Sequence, residues 1–287
     1  MRVVLRRFAP SFCALSGIDN TAPLWQTPAI SMLRRLASAY LWIAPLMIVP
    51  LWYAYHLAGL GAGIAFGAVH LLLMVLGMWA RGVFDWAELP TAYGLTRLLL
   101  ISGGGIVWMI GAAGPPRRHD VTLALYNNTG LILGIFIILC GFAALKDELQ
   151  TEKRGALAAV GQAIYSFSFV AWILECFVIW AKLQAPAAGL PEAQQPDWLL
   201  FISPVWYGMD LLRFGSAYVG SAAFAAAGIL TGRIPRLPGW IMIAFSLIAA
   251  VLGIFTDLPF FIPALTCLVP YFLGMTLYRT EKSPWPT

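Results

Sequence analysis

The sequence contains eight stretches of about 20 mostly apolar residues, each bounded by charged residues, proline or glycine. A helix of that length crosses the hydrocarbon core of a bilayer, which is about 30 Å thick. Only 11% of the 287 residues are charged, whereas a soluble domain carries about 25%. So few polar side chains cannot cover a soluble globule. The sequence therefore predicts an all-α, polytopic membrane helix bundle.

The eight predicted spans are consecutive, with very short connections at Gly59–Gly61 and between the last two spans. Long apolar runs predict helices, because barrel strands would show ten-residue segments of alternating hydrophobicity. The stretch Trp198–Gly208 contains Pro204 and fits either an interfacial helix or a bent start of the sixth span. The predicted spans are Leu36–Ala58, Leu60–Ala80, Leu95–Ala113, Val121–Leu145, Ala156–Ala181, Leu211–Leu230, Trp240–Phe255 and Phe260–Tyr278.

Lysine and arginine predict the orientation, because these residues are retained on the cytoplasmic side. With both termini cytoplasmic, 14 basic residues lie inside and only Arg117, Arg118, Lys182 and Arg213 lie outside. We interpret the net charge of +5 as a sign of the orientation in the membrane. No basic run carries the interleaved aromatic residues of a nucleic-acid groove, so the expected partner is the lipid bilayer. An alanine-rich, lysine-poor composition is typical of a bacterial inner membrane protein.

We predict a single transmembrane domain over residues 36–280, preceded by a basic tail (1–35) and followed by a short tail (281–287). The first 31 residues are rich in arginine and have no acidic residue before Asp19. They fit a cleaved signal peptide, a disordered tail or a misassigned start at Met32. No connecting segment is long enough to form a soluble domain.

Polar residues in the predicted outer half of the membrane are the candidate functional residues, because ionisable groups are costly in hydrocarbon. Glu175 lies 19 residues into the fifth span, which is about 28 Å of helical rise. We predict a polar cavity that opens to the outer face, with Glu175 as its central group. The candidate residues are Glu175, His70, Asn127, Asn128, Asp210, Arg213 and Asp257.

All candidates except Asp257 also have a purely structural interpretation. Glu175 could pair with Lys182 or Arg213, and Asp210 with Arg213, three residues apart on one helix face, could form an interfacial salt bridge. The two asparagines could hydrogen-bond between helices, and His70 could bond to a neighbour in the core.

The sequence predicts neither a metal site nor another cofactor. His56 and His70 differ by about 10 Å along the membrane normal, so they cannot share one metal. The four cysteines form no close pair. The run Ser102–Gly105 lacks the Lys-Ser/Thr of a phosphate loop, so we interpret it as a close helix crossing or a flexible point.

The loop Gly232–Trp240 combines basic residues with helix-stopping Gly and Pro residues. Together with the following Phe260–Leu273 segment, it resembles the C-terminal hairpins of several bacterial multi-pass families. The resemblance covers less than a third of the chain and implies no activity or site.

Three functions fit the sequence. The first is a carrier of a small solute or lipid, in which Glu175 binds a proton or cation and the asparagines and His70 contact the substrate. The second is a membrane-embedded enzyme on a lipid or isoprenoid substrate, with Glu175, Asp210 or Asp257 as general acid. The third is a non-catalytic accessory or sensory subunit, whose polar residues only fix helix packing.

Overall fold

The computed structural model describes residues 28–81, 83, 92–112, 121–150, 155–184, 194, 197–255 and 263–277. No strand occurs in these ranges, so the predicted all-α fold is confirmed. The elements are α1 (Pro28–Ile43), a 3₁₀ turn (Ala44–Met47), α2 (Ile48–Leu57), α3 (Leu60–Ala80), α4 (Ala92–Ala112), α5 (Val121–Gln150), α6 (Ala156–Gln184), α7 (Asp197–Leu230), α8 (Arg236–Phe255), α9 (Pro263–Thr266) and α10 (Leu268–Thr276).

Six helical segments in the described part of the chain are long and apolar enough to cross a membrane. They coincide with six of the predicted spans and establish a polytopic helical bundle. The other two predicted spans are also helical where described, as α7 and as α9 with α10. The sidedness of the bundle stays a prediction. The six segments are Ser31–Tyr55, Gly61–Ala80, Gly94–Gly111, Asn127–Leu149, Ala156–Val178 and Arg236–Gly253.

Proline and glycine set the local breaks in these helices. The first predicted span is divided by the 3₁₀ turn, which contains Pro45, because proline lacks the amide hydrogen of a continuous helix. Gly59 separates α2 from α3 with a φ of 92°, a conformation that glycine adopts without steric cost. The Trp198–Gly208 stretch belongs to α7, which continues through Pro204.

Helix α4 lies at the centre of the packing because three successive glycines each face a different helix. A methyl group added at Gly103 would lie 2.9 Å from a backbone oxygen of α5. The same addition at Gly104 would approach Tyr271 of α10 to 3.2 Å, and at Gly105 it would approach Met74 of α3 to 2.5 Å. The interpretation of this run as a close helix crossing is confirmed.

Two apolar clusters form the core, and both include side chains of α4 and α10. In the larger cluster, the rings of Phe142 and Phe224 stack with centroids 4.2 Å apart and planes 8° from parallel. In the smaller cluster, Trp108 contacts Tyr271, whose hydroxyl donates a 2.7 Å hydrogen bond to the carbonyl of Leu41. Helices α4 and α10 therefore join α1 and α3 to the rest of the bundle.

Candidate functional site

A buried charge cluster joins α6 to α7. The Arg213 guanidinium forms ion pairs with the carboxylates of Glu175 and Asp210. Glu175 is 2% exposed and Arg213 is 7% exposed, whereas the Asp210 side chain is 28% exposed. We call Glu175, Asp210 and Arg213 the charge cluster.

The close crossing of α6 and α7 brings these residues together. A methyl group added at Gly220 of α7 would lie 3.0 Å from the backbone nitrogen of Tyr165 in α6, so the two backbones nearly touch there. One turn further along, the Ser168 hydroxyl donates a 2.6 Å hydrogen bond to the Arg213 carbonyl. Small residues and a side-chain hydrogen bond therefore fix the register in which Glu175 meets Arg213.

Two aromatic rings complete the surroundings of the guanidinium. The Arg213 Cζ atom lies 4.1 Å from the ring centroid of Trp172 and 3.9 Å from that of Phe214. A cation over an aromatic face is attracted by the ring quadrupole, and most strongly so when it is desolvated. The arginine is thus held by two carboxylates and two rings.

The charge cluster contains two carboxylates and one guanidinium, so its formal charge is −1 when both acids are ionised. Uncompensated charge is costly in an apolar environment, because the low dielectric constant does not screen it. Among these three side chains, one carboxylate is in excess of the guanidinium, and a carboxylate is a group that can take up a proton. The side chain of Lys182, the other partner that the sequence suggests for Glu175, lies outside the described part of the chain.

A groove of about 340 Å³ lies between α5 and α6, beside the charge cluster. Ile132 and Ile173 are half-buried, whereas Thr129, Phe177 and Trp180 are exposed, so the groove opens at the surface of the bundle. Cys176 connects the groove to the charge cluster, because it lines the groove and directly follows Glu175. The lining residues are Asn128, Thr129, Ile132, Ile173, Cys176, Phe177 and Trp180.

The groove combines an apolar wall with a few polar groups. Its volume lies within the range of about 300–1,000 Å³ that is typical of small-molecule sites. The lining residues with polar groups are Asn128 (amide), Thr129 (hydroxyl), Cys176 (thiol) and Trp180 (indole N–H). Next to Asn128, the Asn127 Oδ1 atom is buried without a hydrogen-bond partner among the described residues. This composition suits an amphipathic molecule whose apolar part lies along the groove.

The structure places the predicted site residues in three locations. Glu175, Asp210 and Arg213 meet in the charge cluster. Asn128 lies in the adjacent groove, whereas Asn127 precedes it on α5 and is not a lining residue. His70 lies elsewhere: it is 3% exposed and its Nδ1 atom is 2.5 Å from the hydroxyl of Tyr40, between α3 and α1. Asp257 lies outside the described residues.

Sequence reasoning missed the contributions of Trp172 and Cys176. Trp172 lies three residues before Glu175 and therefore shares its helix face, which is a signal that the sequence contains. Cys176 could not be assigned to the groove without knowing that α5 packs beside α6. Among the described residues, no group of three His, Cys, Asp or Glu side chains is arranged to hold a metal ion.

Comparison with known proteins assigns no function to this arrangement. No model of a known protein family matches the chain, and neither a curated protein nor a solved structure matches it.

Proposed function

We propose that this protein is a carrier of a small amphipathic or lipid-like molecule, which binds with its apolar part in the groove between α5 and α6. The observation that supports the proposal is the groove itself, which opens at the bundle surface beside a buried charge cluster. The alanine-rich, lysine-poor composition supports a bacterial inner membrane as its location.

Selectivity in such a groove comes from its polar groups. Lipid tails are as apolar as the groove wall, so an apolar ligand gains little free energy by moving from the bilayer into the groove. The Asn128 amide lines the groove and provides a hydrogen-bonding group that a bilayer core lacks. The preferred ligand is therefore a molecule with a polar group at the depth of Asn128.

The charge cluster supplies the second element that a carrier requires. A proton held by Glu175 or Asp210 would balance the charges of these two carboxylates and Arg213. Because Cys176 lines the groove and directly follows Glu175, a ligand in the groove would bind near this cluster. Charge neutralisation and ligand binding can therefore influence each other.

Lipid movement in proteoliposomes tests the proposal. The full chain is reconstituted into vesicles that contain a phospholipid with a fluorescent NBD headgroup, and dithionite is added outside. We expect the protein to move the probe from the inner to the outer leaflet, where dithionite reduces it and its fluorescence is lost. Replacing Ile173 by Trp fills the groove and should return the rate to that of protein-free vesicles. Replacing Asn128 by Leu should slow the rate about threefold or more, since a membrane hydrogen bond contributes about 0.6 kcal/mol on average.

Leu174→Trp is the matched control. Leu174 is the next residue on α6, and its side chain is 52% exposed on the outside of the bundle. This variant adds the same bulk without entering the groove, so it should keep the wild-type rate. A carrier role for the groove is refuted if the folded wild-type protein moves no probe, or if Ile173→Trp and Leu174→Trp move it equally fast.

A further inference from the structure

A basic cleft lies between α1 and α3, at the end of the bundle where α1 begins and α3 ends. Its volume is about 460 Å³. It is lined by Arg34, Arg35, Ser38, Ala39, Trp42 and Ala80. By the distribution of Lys and Arg residues, this end is predicted to be cytoplasmic.

Two tryptophans position the guanidinium groups around this cleft. The Arg34 Cζ atom lies 4.9 Å from the ring centroid of Trp79, and the Arg81 Cζ atom lies 5.4 Å from that of Trp42. Stacking on a ring restrains a guanidinium but leaves the N–H groups at its edge available as donors. The Arg34 Nε atom is buried and has no hydrogen-bond partner in the part of the chain that the structure describes.

These arginines lack counter-ions within the described ranges. The ion pairs found there involve Arg213 and Lys146, and none joins a carboxylate to Arg34, Arg35 or Arg81. Arg81 donates instead to a weak acceptor, the sulfur of a methionine in α10, at 3.5 Å. Burial lowers the pKa of the Arg81 guanidinium from its ordinary value, as is typical of a partly desolvated cation.

We propose that this cleft binds the phosphate group of an anionic phospholipid. Arginine is suited to phosphate because its planar fork donates two parallel hydrogen bonds to phosphate oxygens. Arg34 and Arg35 provide two such forks, and the Ser38 hydroxyl lies in the same cleft as a further donor. Basic pockets between transmembrane helices on the cytoplasmic side are known to bind anionic lipid headgroups.

The surface around the cleft favours a lipid over free phosphate. Leu36 and Ile43, on the same helix, are 59% and 49% exposed and provide an apolar surface for acyl chains. Trp42 and Trp79 are 45% and 38% exposed, as is common for aromatic residues at the membrane interface. A phosphate in the cleft would thus have its acyl chains against an apolar helix face.

Native mass spectrometry of the purified full-length chain tests this site. Phosphatidylglycerol and phosphatidylcholine are titrated into the detergent-solubilised protein. We expect a clear preference for phosphatidylglycerol. The Arg34→Gln/Arg35→Gln variant should weaken its binding at least about tenfold, because each basic residue near an anionic lipid contributes about a fivefold effect. Arg34→Lys/Arg35→Lys keeps the charge but loses the forks and should fall between this variant and the wild type.

Lys146→Gln/Arg236→Gln is the matched control, because it removes two positive charges from the same end of the bundle but outside the cleft. This control should bind phosphatidylglycerol within about twofold of the wild type. Equal loss in the control and the cleft variant would overturn the proposal in favour of general surface attraction, as would equal binding of the two lipids. Displacement of the lipid by equimolar inorganic phosphate would overturn it in favour of a soluble-anion site. Should the glutamine variant not fold, the lysine variant alone must show weakened binding.

Discussion

Replacing each residue of the charge cluster by a neutral one should destabilise the protein to a different extent. Replacing Arg213 by Gln removes the guanidinium that both carboxylates share, and Glu175 then stays 2% exposed without the cation that the structure places beside it. Replacing Glu175 by Gln is milder, because Arg213 keeps its ion pair with Asp210. Arg213→Gln should therefore destabilise the protein more than Glu175→Gln.

The magnitudes follow from burial. Breaking a buried ion pair by removing its cation costs about 3–5 kcal/mol, which applies to Arg213→Gln. Glu175→Gln mainly loses a charge-assisted hydrogen bond, which costs about 1.5–3 kcal/mol. Asp210→Asn should cost about 1 kcal/mol or less, because the Asp210 side chain is 28% exposed and solvent screens its charge.

The free energy of unfolding, measured by titration with SDS in mixed micelles, checks this order. Lys146→Gln is the matched control, because its Nζ atom lies 3.5 Å from Oδ1 of Asp147 in a pair whose acid is 74% exposed. Such a pair contributes about 0–1 kcal/mol. The reasoning is refuted if Arg213→Gln costs no more than Glu175→Gln, or no more than this control.

Three further predictions test the packing in the same unfolding assay. Gly103→Ala should lower the free energy of unfolding by about 1–3 kcal/mol, because the new methyl group meets backbone atoms of α5. Gly111→Ala is its control and should be neutral or stabilising, because the new methyl group has nothing within 4 Å. Equal effects of the two substitutions would contradict the close crossing. Tyr40→Phe should cost about 1–3 kcal/mol by removing the hydrogen-bond partner of buried His70, and no loss would show that the ring is satisfied otherwise. Tyr271→Phe should cost about 0.5–1.5 kcal/mol, since its hydroxyl bonds a carbonyl of α1.

The sequence predicts the helices of this protein well, because each segment that crosses a membrane must be long and apolar enough by itself. About 20 apolar residues mark a span, and Gly59 marks a hairpin, whatever the rest of the chain does. The break at Pro45 was not predicted, since a proline within an apolar run is compatible with either a kink or a continuous membrane helix.

The candidate site was predictable only in its local parts. Asp210 and Arg213 lie three residues apart, so their ion pair follows from helical periodicity. The choice of Arg213 as a partner of Glu175 depends on how α6 crosses α7, which the sequence does not determine. The sequence predicts only the depth of His70 in the membrane, and this depth alone suggests that it shares a cavity with Glu175. Depth does not specify which helix His70 faces. Its contact with Tyr40 places it between α1 and α3.

The groove between α5 and α6 is the central claim, and photolabelling tests it most directly. A phospholipid with a diazirine in its acyl chain is irradiated with the reconstituted protein, and labelled residues are mapped by mass spectrometry. We predict saturable labelling of the groove residues, which excess unlabelled lipid removes and which Ile173→Trp abolishes. These residues are Asn128, Thr129, Ile132, Ile173, Cys176, Phe177 and Trp180. Non-saturable labelling spread over exposed residues such as Leu46 and Phe255, which are 69% and 79% exposed, would contradict the claim.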